Sequence, residues 1–330
     1  MNYSKIMFMI MIMLTTLMTI SSTNWIGMWI GMEMNLMSFI PFINKNKNLK
    51  SSRAMMMYFL AQSIGSIIFL FAILMNSFIM TPIMMNEFIK TAMVIGMAIK
   101  LGMAPFHSWM PEMMSNINWN EMMVLMTWQK VAPLYTLSNL MNNWSMYILI
   151  ILSTIVGAIG GLNQTSMRKI MAYSSINHMG WITAMMITQT KWFMYLLIYS
   201  ITVAMLCYMM NMHNTYFINQ VSTMNESMTE KLTYSILMLS IGGMPPFLGF
   251  LPKWMAIQSM INTEMMILMT IMIMMSLLTL FYYMRMISSL MLMYSSMNKW
   301  MKYKSPNTMM VSLMLTINMS MPIYSIMSFF

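Results

Sequence analysis

Apolar runs of helix-spanning length follow one another along the whole chain, separated by short polar linkers. Eleven can be counted, at residues 4–21, 25–43, 55–75, 83–105, 121–140, 145–163, 170–188, 192–212, 232–258, 265–287 and 308–328. A helix needs about 20 mostly apolar residues to cross a bilayer. These runs are apolar on every side rather than alternating, so they predict helices and exclude the strands of a β-barrel. The linkers at 44–50, 76–82, 111–120, 163–169, 213–230 and 295–307 carry the turn and charge residues. Backbone inside lipid has no water to bond, which leaves the helix as its way to satisfy itself. The pattern predicts an all-α, polytopic membrane helix bundle of about 11 transmembrane helices, one domain over residues 1–330. No soluble domain fits between the runs, and no internal repeat shows by residue identity.

Composition narrows the function classes. Only 7% of residues are charged and 59% are hydrophobic, against roughly 25% charged in ordinary globular chains. Aspartate is absent altogether. Such a chain cannot cover a water-facing surface, which excludes a soluble enzyme, a disordered tail and a nucleic-acid binder. With one cysteine, Cys207, and three histidines, neither a disulfide nor a metal site is expected. Methionine, at 62 residues, replaces Ile, Leu and Val along nearly every run. Packing asks for no such number; an AT-rich animal mitochondrial gene, in which AUA encodes Met, accounts for it.

The net charge of +10 is a topology signal. With the N-terminus on a side called "in", that side holds Lys5, Lys45, Lys47, Lys50, Arg53, Arg168, Lys169, Lys231, Arg285, Lys299, Lys302 and Lys304, whereas the other side holds only Lys90 and Lys191. This is the positive-inside asymmetry, and it places the N-terminus in and the C-terminus out. Trp25, Trp29, Trp109, Trp119, Trp144, Trp192 and Trp300 fall at or near run boundaries, as aromatic belts do. The first run has the charge and apolarity of a signal peptide but lacks its small-residue cleavage site.

Four charged residues stand at membrane depth, away from the ends of their runs: Glu33, Lys100, Lys130 and Lys253. Each costs about 2.5–3.5 kcal/mol at mid-membrane on insertion scales. Glu33 sits in WIGMWIGMEMNLMSFIPFI, and its bland reading is an interhelical hydrogen bond from a neutral carboxyl. Lys130 lies at the centre of EMMVLMTWQKVAPLYTLSNL, about 15 Å from either end of one continuous helix. Lys100, in VIGMAIKLGMAPF, is nearer a run end, and a snorkelling side chain competes with a functional one. Lys253 follows GGMPPFLGFLP, whose Pro245, Pro246 and Pro252 break the helix and free the carbonyls of Ile241, Gly242 and Leu248. A kink that lets Lys253 reach an interface is its bland alternative. Pro105 and Pro133 likewise free the carbonyls of Leu101 and Gln129, beside the other two lysines. Broken helices at membrane depth commonly line water-filled cavities or ion sites. Desolvation disfavours the ammonium form, so a buried lysine can hold or release a proton according to its neighbours. His178, mid-run in AYSSINHMGW, suits a relay equally well as a neutral interhelical hydrogen bond. No nucleotide-binding loop, dinucleotide fingerprint, haem-ligand pair or hydrolytic triad is present, so energy for transport must come from elsewhere.

Four stretches, MAIKLGMAPFHSWMPE (97–112), TWQKVAPL (127–134), AYSSINHMGW (172–181) and GGMPPFLGFLPKW (242–254), resemble the subunit 2 family of mitochondrial NADH dehydrogenase, respiratory complex I. The opening, with Trp25, Gly31, Glu33, Asn35, Ser38 and Phe39, looks like an arthropod version. The resemblance covers essentially the whole chain. It implies a proton-translocating, antiporter-like subunit of the mitochondrial inner membrane, with the N-terminus in the matrix and the C-terminus in the intermembrane space. It also implies a relay in which Glu33 pairs with Lys100, Lys130 is central, His178 lies on the hydrated axis and Lys253 stands on the second broken helix. Electron transfer would belong to other subunits, which carry NADH, FMN, iron–sulfur clusters and ubiquinone; no cofactor is expected in this chain. The implied partners are the other membrane subunits, including antiporter-like siblings, and the bilayer with its cardiolipin; no nucleic acid is expected. Bacterial relatives of the family have three more spans than this chain, which leaves one flank open for a partner. Two other readings stand: a self-contained sodium/proton antiporter, and a structural membrane subunit that pumps nothing.

Overall fold

The computed structural model describes residues 3–44, 48–78, 83–140, 144–222, 228–294 and 308–322. Lys45, Lys47, Lys299, Trp300, Lys302 and Lys304, counted above, lie outside them. Among the described residues the regular elements are all helices, with one isolated bridge between Ser166 and Phe217. The chain divides into two compact units, Met1–Ser153 and Thr154–Phe330.

The first unit contains α1 (Tyr3–Ser21), α2 (Trp25–Ile43), α3 (Leu49–Phe78), α4 (Ile83–Leu101), α5 (Trp109–Asn116), α6 (Trp119–Met126), a single 3₁₀ turn (Trp128–Lys130) and α7 (Val131–Ser138). α3 and α4 pack closely, because Gly65 and Gly96 face each other: a Cβ on either would stand 2.9 Å from the other's carbonyl oxygen. Such small-residue contacts let membrane helices approach at the backbone. α8 (Trp144–Leu162) carries the chain into the second unit. That unit contains α9 (Met167–Ile187), α10 (Trp192–His213), α11 (Ile218–Ser222), α12 (Met228–Gly242), α13 (Phe250–Asn262), α14 (Met266–Tyr294) and α15 (Thr308–Asn318). Here α9 is the enclosed helix, with a continuous buried stretch from Ser174 to Ile187. Outer helices instead expose apolar stripes, such as Ile10, Leu14 and Leu17 on α1 or Met274, Leu277 and Phe281 on α14. An exposed hydrocarbon face is stable only where the surroundings are lipid or another apolar surface.

Among the described residues, six helices are long and apolar enough to cross a membrane: Tyr3–Ser21, Trp25–Ile43, Leu49–Asn76, Trp144–Leu162, Trp192–His213 and Met266–Ser288. The other five of the eleven expected runs take different forms. Two of them show the expected discontinuities: 83–105 ends in one near Pro105, and 232–258 is interrupted by one at Pro245–Pro246, between α12 and α13. The run at 170–188 is a helix whose Ser174, Ser175, Asn177 and His178 face neighbouring helices rather than lipid. That at 308–328 is described only to residue 322. The run at 121–140 departs from expectation, for it is not one continuous helix. It breaks at Thr127–Lys130, directly before Pro133, whose missing N–H leaves the Gln129 carbonyl without its helical donor.

α4 and α12 end in the same way. Gly102 and Gly243 take left-handed conformations, with φ of +67° and +79°. The amide after the glycine reaches back to the fourth-last helical carbonyl, Met103 to Ala98 at 3.0 Å and Met244 to Leu239 at 3.1 Å. This Schellman closure favours glycine at the left-handed position. It stops each helix beside a buried lysine environment.

Two residues given no role by the sequence fasten the first unit at one end. Lys5 Nζ donates to Glu121 Oε1 at 2.8 Å, and Glu121 is buried at the start of α6, where it also accepts from the Asn118 amide at 3.1 Å. Glu121→Ala is expected to destabilise the protein by about 1–3 kcal/mol through the orphaned donors, read as a lower unfolding temperature in detergent; an unchanged temperature would show that the pair carries no stability.

Candidate functional site

The first unit brings Glu33, Lys100 and Lys130 together. Lys100 is in the last turn of α4, and its ammonium lies 3.7 Å from Glu33 Oε1 on α2. Lys100 is only 5% exposed, so the snorkelling reading does not hold. Glu33 retains 25% of its side-chain accessibility, and Oε1 has no hydrogen-bond donor among the described residues. The ionisable group that the structure sets beside Glu33 Oε1 is thus the Lys100 ammonium of another helix. The separation exceeds a direct hydrogen bond and suits a bridging water. The carbonyls at the end of α4 are covered by side chains: Gln62 Nε2 donates to Lys100 O at 3.0 Å and Trp109 Nε1 to Ile99 O at 3.2 Å.

Lys130 is the last residue of the 3₁₀ turn and is 3% exposed. Side chains of the two residues before it pin that turn. Trp128 Nε1 donates to Thr16 Oγ1 of α1 at 3.0 Å. Gln129 Nε2 donates to Asn35 Oδ1 of α2 at 3.0 Å, and Gln129 Oε1 accepts from Tyr58 Oη of α3 at 3.4 Å. Lys100 and Lys130 both line one cavity of about 20 Å³, together with Asn35, Tyr58, Gln62 and Gln129. That is room for about one water by the usual ~10–15 Å³ criterion.

The second unit places His178 and Lys253. His178 is buried on α9, its Nδ1 2.9 Å from Tyr195 Oη and its ring 4.7 Å from that of Tyr199, both on α10. Lys253 is 6% exposed on α13 and donates to Gly242 O at 2.7 Å. It therefore does not reach out to an interface. Its ammonium covers a carbonyl freed by Pro246 and lies 5.9 Å from the Trp181 ring. The third carbonyl expected to be free, that of Leu248, instead accepts from the Leu251 amide at 3.2 Å. Among the described residues, no group of three or more His, Cys or Glu side chains comes together as a metal site would require.

Sequence reasoning missed Gln62, Tyr58 and Tyr195, and met Asn35 and the Gln129 side chain only as parts of motifs. A polar side chain inside an apolar run was the available signal for Gln62 and Gln129. Tyrosine carries no such mark, because it is equally common as apolar packing.

Comparison with known proteins completes the description. The family model of the NADH:quinone oxidoreductase/Mrp antiporter transmembrane region matches residues 22–279. The chain belongs to that family. Within this antiporter family it is 43% identical over 323 residues to NADH-ubiquinone oxidoreductase chain 2 of Anopheles gambiae, covering 96% of this chain and 94% of the mosquito protein. It is 41% identical to the same chain of Locusta migratoria over 94% of this chain and 92% of that one, and 39% identical to that of Mus musculus over 92% of each. Among solved structures, a chain of respiratory complex I from Thermus thermophilus has a TM-score of 0.81 at 17% identity, over 97% of this chain and 80% of that one. A chain of the Mrp complex from Dietzia sp. has a TM-score of 0.72 at 14% identity, over 86% of this chain and 59% of that one. These two likenesses establish the antiporter-family fold.

The Glu33–Lys100 pair makes its own prediction. Removing one partner of a fully enclosed pair costs about 3–5 kcal/mol, whereas exchanging both for neutral groups is often neutral. Because Glu33 is partly exposed, Glu33→Gln is expected to cost about 1–2 kcal/mol. Adding Lys100→Met should recover part of that loss. Thermal unfolding of both variants and the double variant measures the coupling, and strictly additive losses would mean that the two side chains do not interact.

Proposed function

We propose that the chain is a core membrane subunit of respiratory complex I that contributes to proton translocation, coupled to electron transfer from NADH to ubiquinone. It participates in the enzyme as a subunit of NADH:ubiquinone reductase (H⁺-translocating) and performs no redox step itself. Other subunits hold the NADH, FMN, iron–sulfur clusters and ubiquinone. In this reading the chain is one antiporter-like domain crossing the mitochondrial inner membrane eleven times, with the N-terminus in the matrix and the C-terminus in the intermembrane space. Its neighbours are the other membrane subunits, including antiporter-like siblings, and anionic lipids such as cardiolipin.

The observation that supports a proton role most is the shared cavity of Lys100 and Lys130, with Glu33 at 3.7 Å from the first lysine. Ionisable groups at membrane depth are costly and mark ion or proton pathways. A lysine that gives up its proton becomes an acceptor for the next one, so two lysines facing one water-sized space can pass a proton between them. Glu33 lies beside Lys100, so arrival and release of a proton there depend on the state of the pair. In the second unit, the same reading assigns relay roles to His178 and Lys253. Translocation against 100 mV costs ~2.3 kcal/mol per charge, so each transfer must be gated by the redox reaction.

The membership is tested by separating inner membranes on a native gel, staining for NADH oxidation and identifying this chain's peptides by mass spectrometry. Peptides in the large NADH-active band support the reading. Peptides only in a small, NADH-inactive species would turn the account towards a self-contained sodium/proton antiporter.

A further inference from the structure

We infer that Gln129 is a positioning residue for proton transfer between Lys100 and Lys130, acting with Asn35 and Tyr58 as a hydrogen-bonded clamp around a single bridging water. The inference rests on the proton-relay reading of this unit.

The geometry is specific to the break between α6 and α7. A 3₁₀ turn supplies few hydrogen bonds of its own, and the break leaves the Gln129 carbonyl without its helical donor. The orientation of Lys130 is therefore set by what holds the turn from outside. Gln129 is the adjacent residue, and its amide engages two other helices at once, through Asn35 Oδ1 at 3.0 Å and Tyr58 Oη at 3.4 Å. Asn35 is 4% and Tyr58 4% exposed, so these are enclosed polar groups rather than surface contacts. All three line the cavity onto which both lysines open.

The charge state of none of the three needs to change. An amide and a hydroxyl can donate and accept at the same time. They can therefore orient a water towards one lysine as acceptor and towards the other as donor. Misplacing a reacting group by about 1 Å can cost as much as ~10²-fold in rate. Loosening the turn would thus slow the transfer without removing any titratable group. Gln62 completes the enclosure from the other side by tying down the Lys100 carbonyl at 3.0 Å.

The test uses the whole complex assembled with a substituted chain. Gln129→Leu keeps the size of the side chain and removes both polar atoms. It is expected to lower NADH-driven proton translocation per assembled complex by about tenfold, with a larger H₂O/D₂O rate ratio than the unsubstituted complex. Tyr58→Phe removes only the hydroxyl, preserves packing, and should raise the same isotope ratio with a smaller fall of about twofold to threefold. Lys130→Met serves as the reference for the relay itself. If it stops translocation while Gln129→Leu and Tyr58→Phe leave rate and isotope ratio unchanged, the clamp is wrong and the relay stands. If Lys130→Met also leaves translocation intact, the relay reading falls and takes the clamp with it. If Gln129→Leu merely prevents assembly, an unchanged isotope ratio in Tyr58→Phe overturns the clamp, and a raised one supports it.

Discussion

Gly249→Ala is expected to remove the chain from assembled complexes. A Cβ at Gly249 would overlap the Ser240 carbonyl oxygen, and backbone stands on both sides of the contact. Ser240 is in the last turns of α12 and Gly249 caps the start of α13, so the segment between them folds back tightly onto the helix it leaves. Nothing in that contact can swing aside as the end of a flexible side chain would. The cost should exceed the about 1–3 kcal/mol of ordinary overpacking. A loss of even 1–2 kcal/mol changes steady-state abundance several-fold. Gly242→Ala is the internal control, because its added Cβ would meet nothing closer than Tyr283 Cδ2 at 3.4 Å. Quantitative mass spectrometry of membranes should find Gly249→Ala depleted and Gly242→Ala close to normal. Equal abundance of the two would contradict the tight return.

Lys253 gives the second large effect, and two substitutions separate its possible roles. As a hydrogen-bond donor it covers Gly242 O at 2.7 Å and so completes the end of α12. As a proton carrier it must also lose its charge during turnover. Lys253→Met removes both properties. It is expected to cost about 1–3 kcal/mol for the buried carbonyl left without a donor, and to lower proton translocation by roughly 10²-fold. Lys253→Arg keeps a donor and a charge, but a guanidinium does not release its proton in a protein. Arginine should therefore restore assembly and stability without restoring translocation. If it restores translocation as well, Lys253 is a structural cap and the relay does not include it.

Most of this fold was legible in the sequence because lipid is a demanding solvent. Apolar runs had to be helices, and Pro105, Pro245 and Pro246 had to interrupt them. The four charged residues were conspicuous for the same reason, since each is costly unless it is held by a partner or used. The site's framework was not legible. Gln129 meets Asn35 across 94 residues of sequence and Tyr58 across 71, and Lys5 meets Glu121 across 116. Local pattern carries no information about such pairings. The break at Lys130 was half visible. Pro133 marked a free carbonyl, yet apolar residues on both sides made one continuous helix the simpler expectation. The companion glycines Gly102 and Gly243 show how much one residue type can do locally: each ends a helix by taking a left-handed conformation, and at the second Lys253 covers the freed Gly242 carbonyl.

The central claim is that protons pass through this chain by way of Lys130. It is tested most directly in sealed vesicles containing the assembled complex, by measuring NADH-driven proton uptake per complex with the unsubstituted chain and with Lys130→Met. The account predicts that the substituted complex assembles but loses roughly 10²-fold in translocation. Undiminished proton uptake from a fully assembled Lys130→Met complex would contradict it and leave the chain a structural subunit.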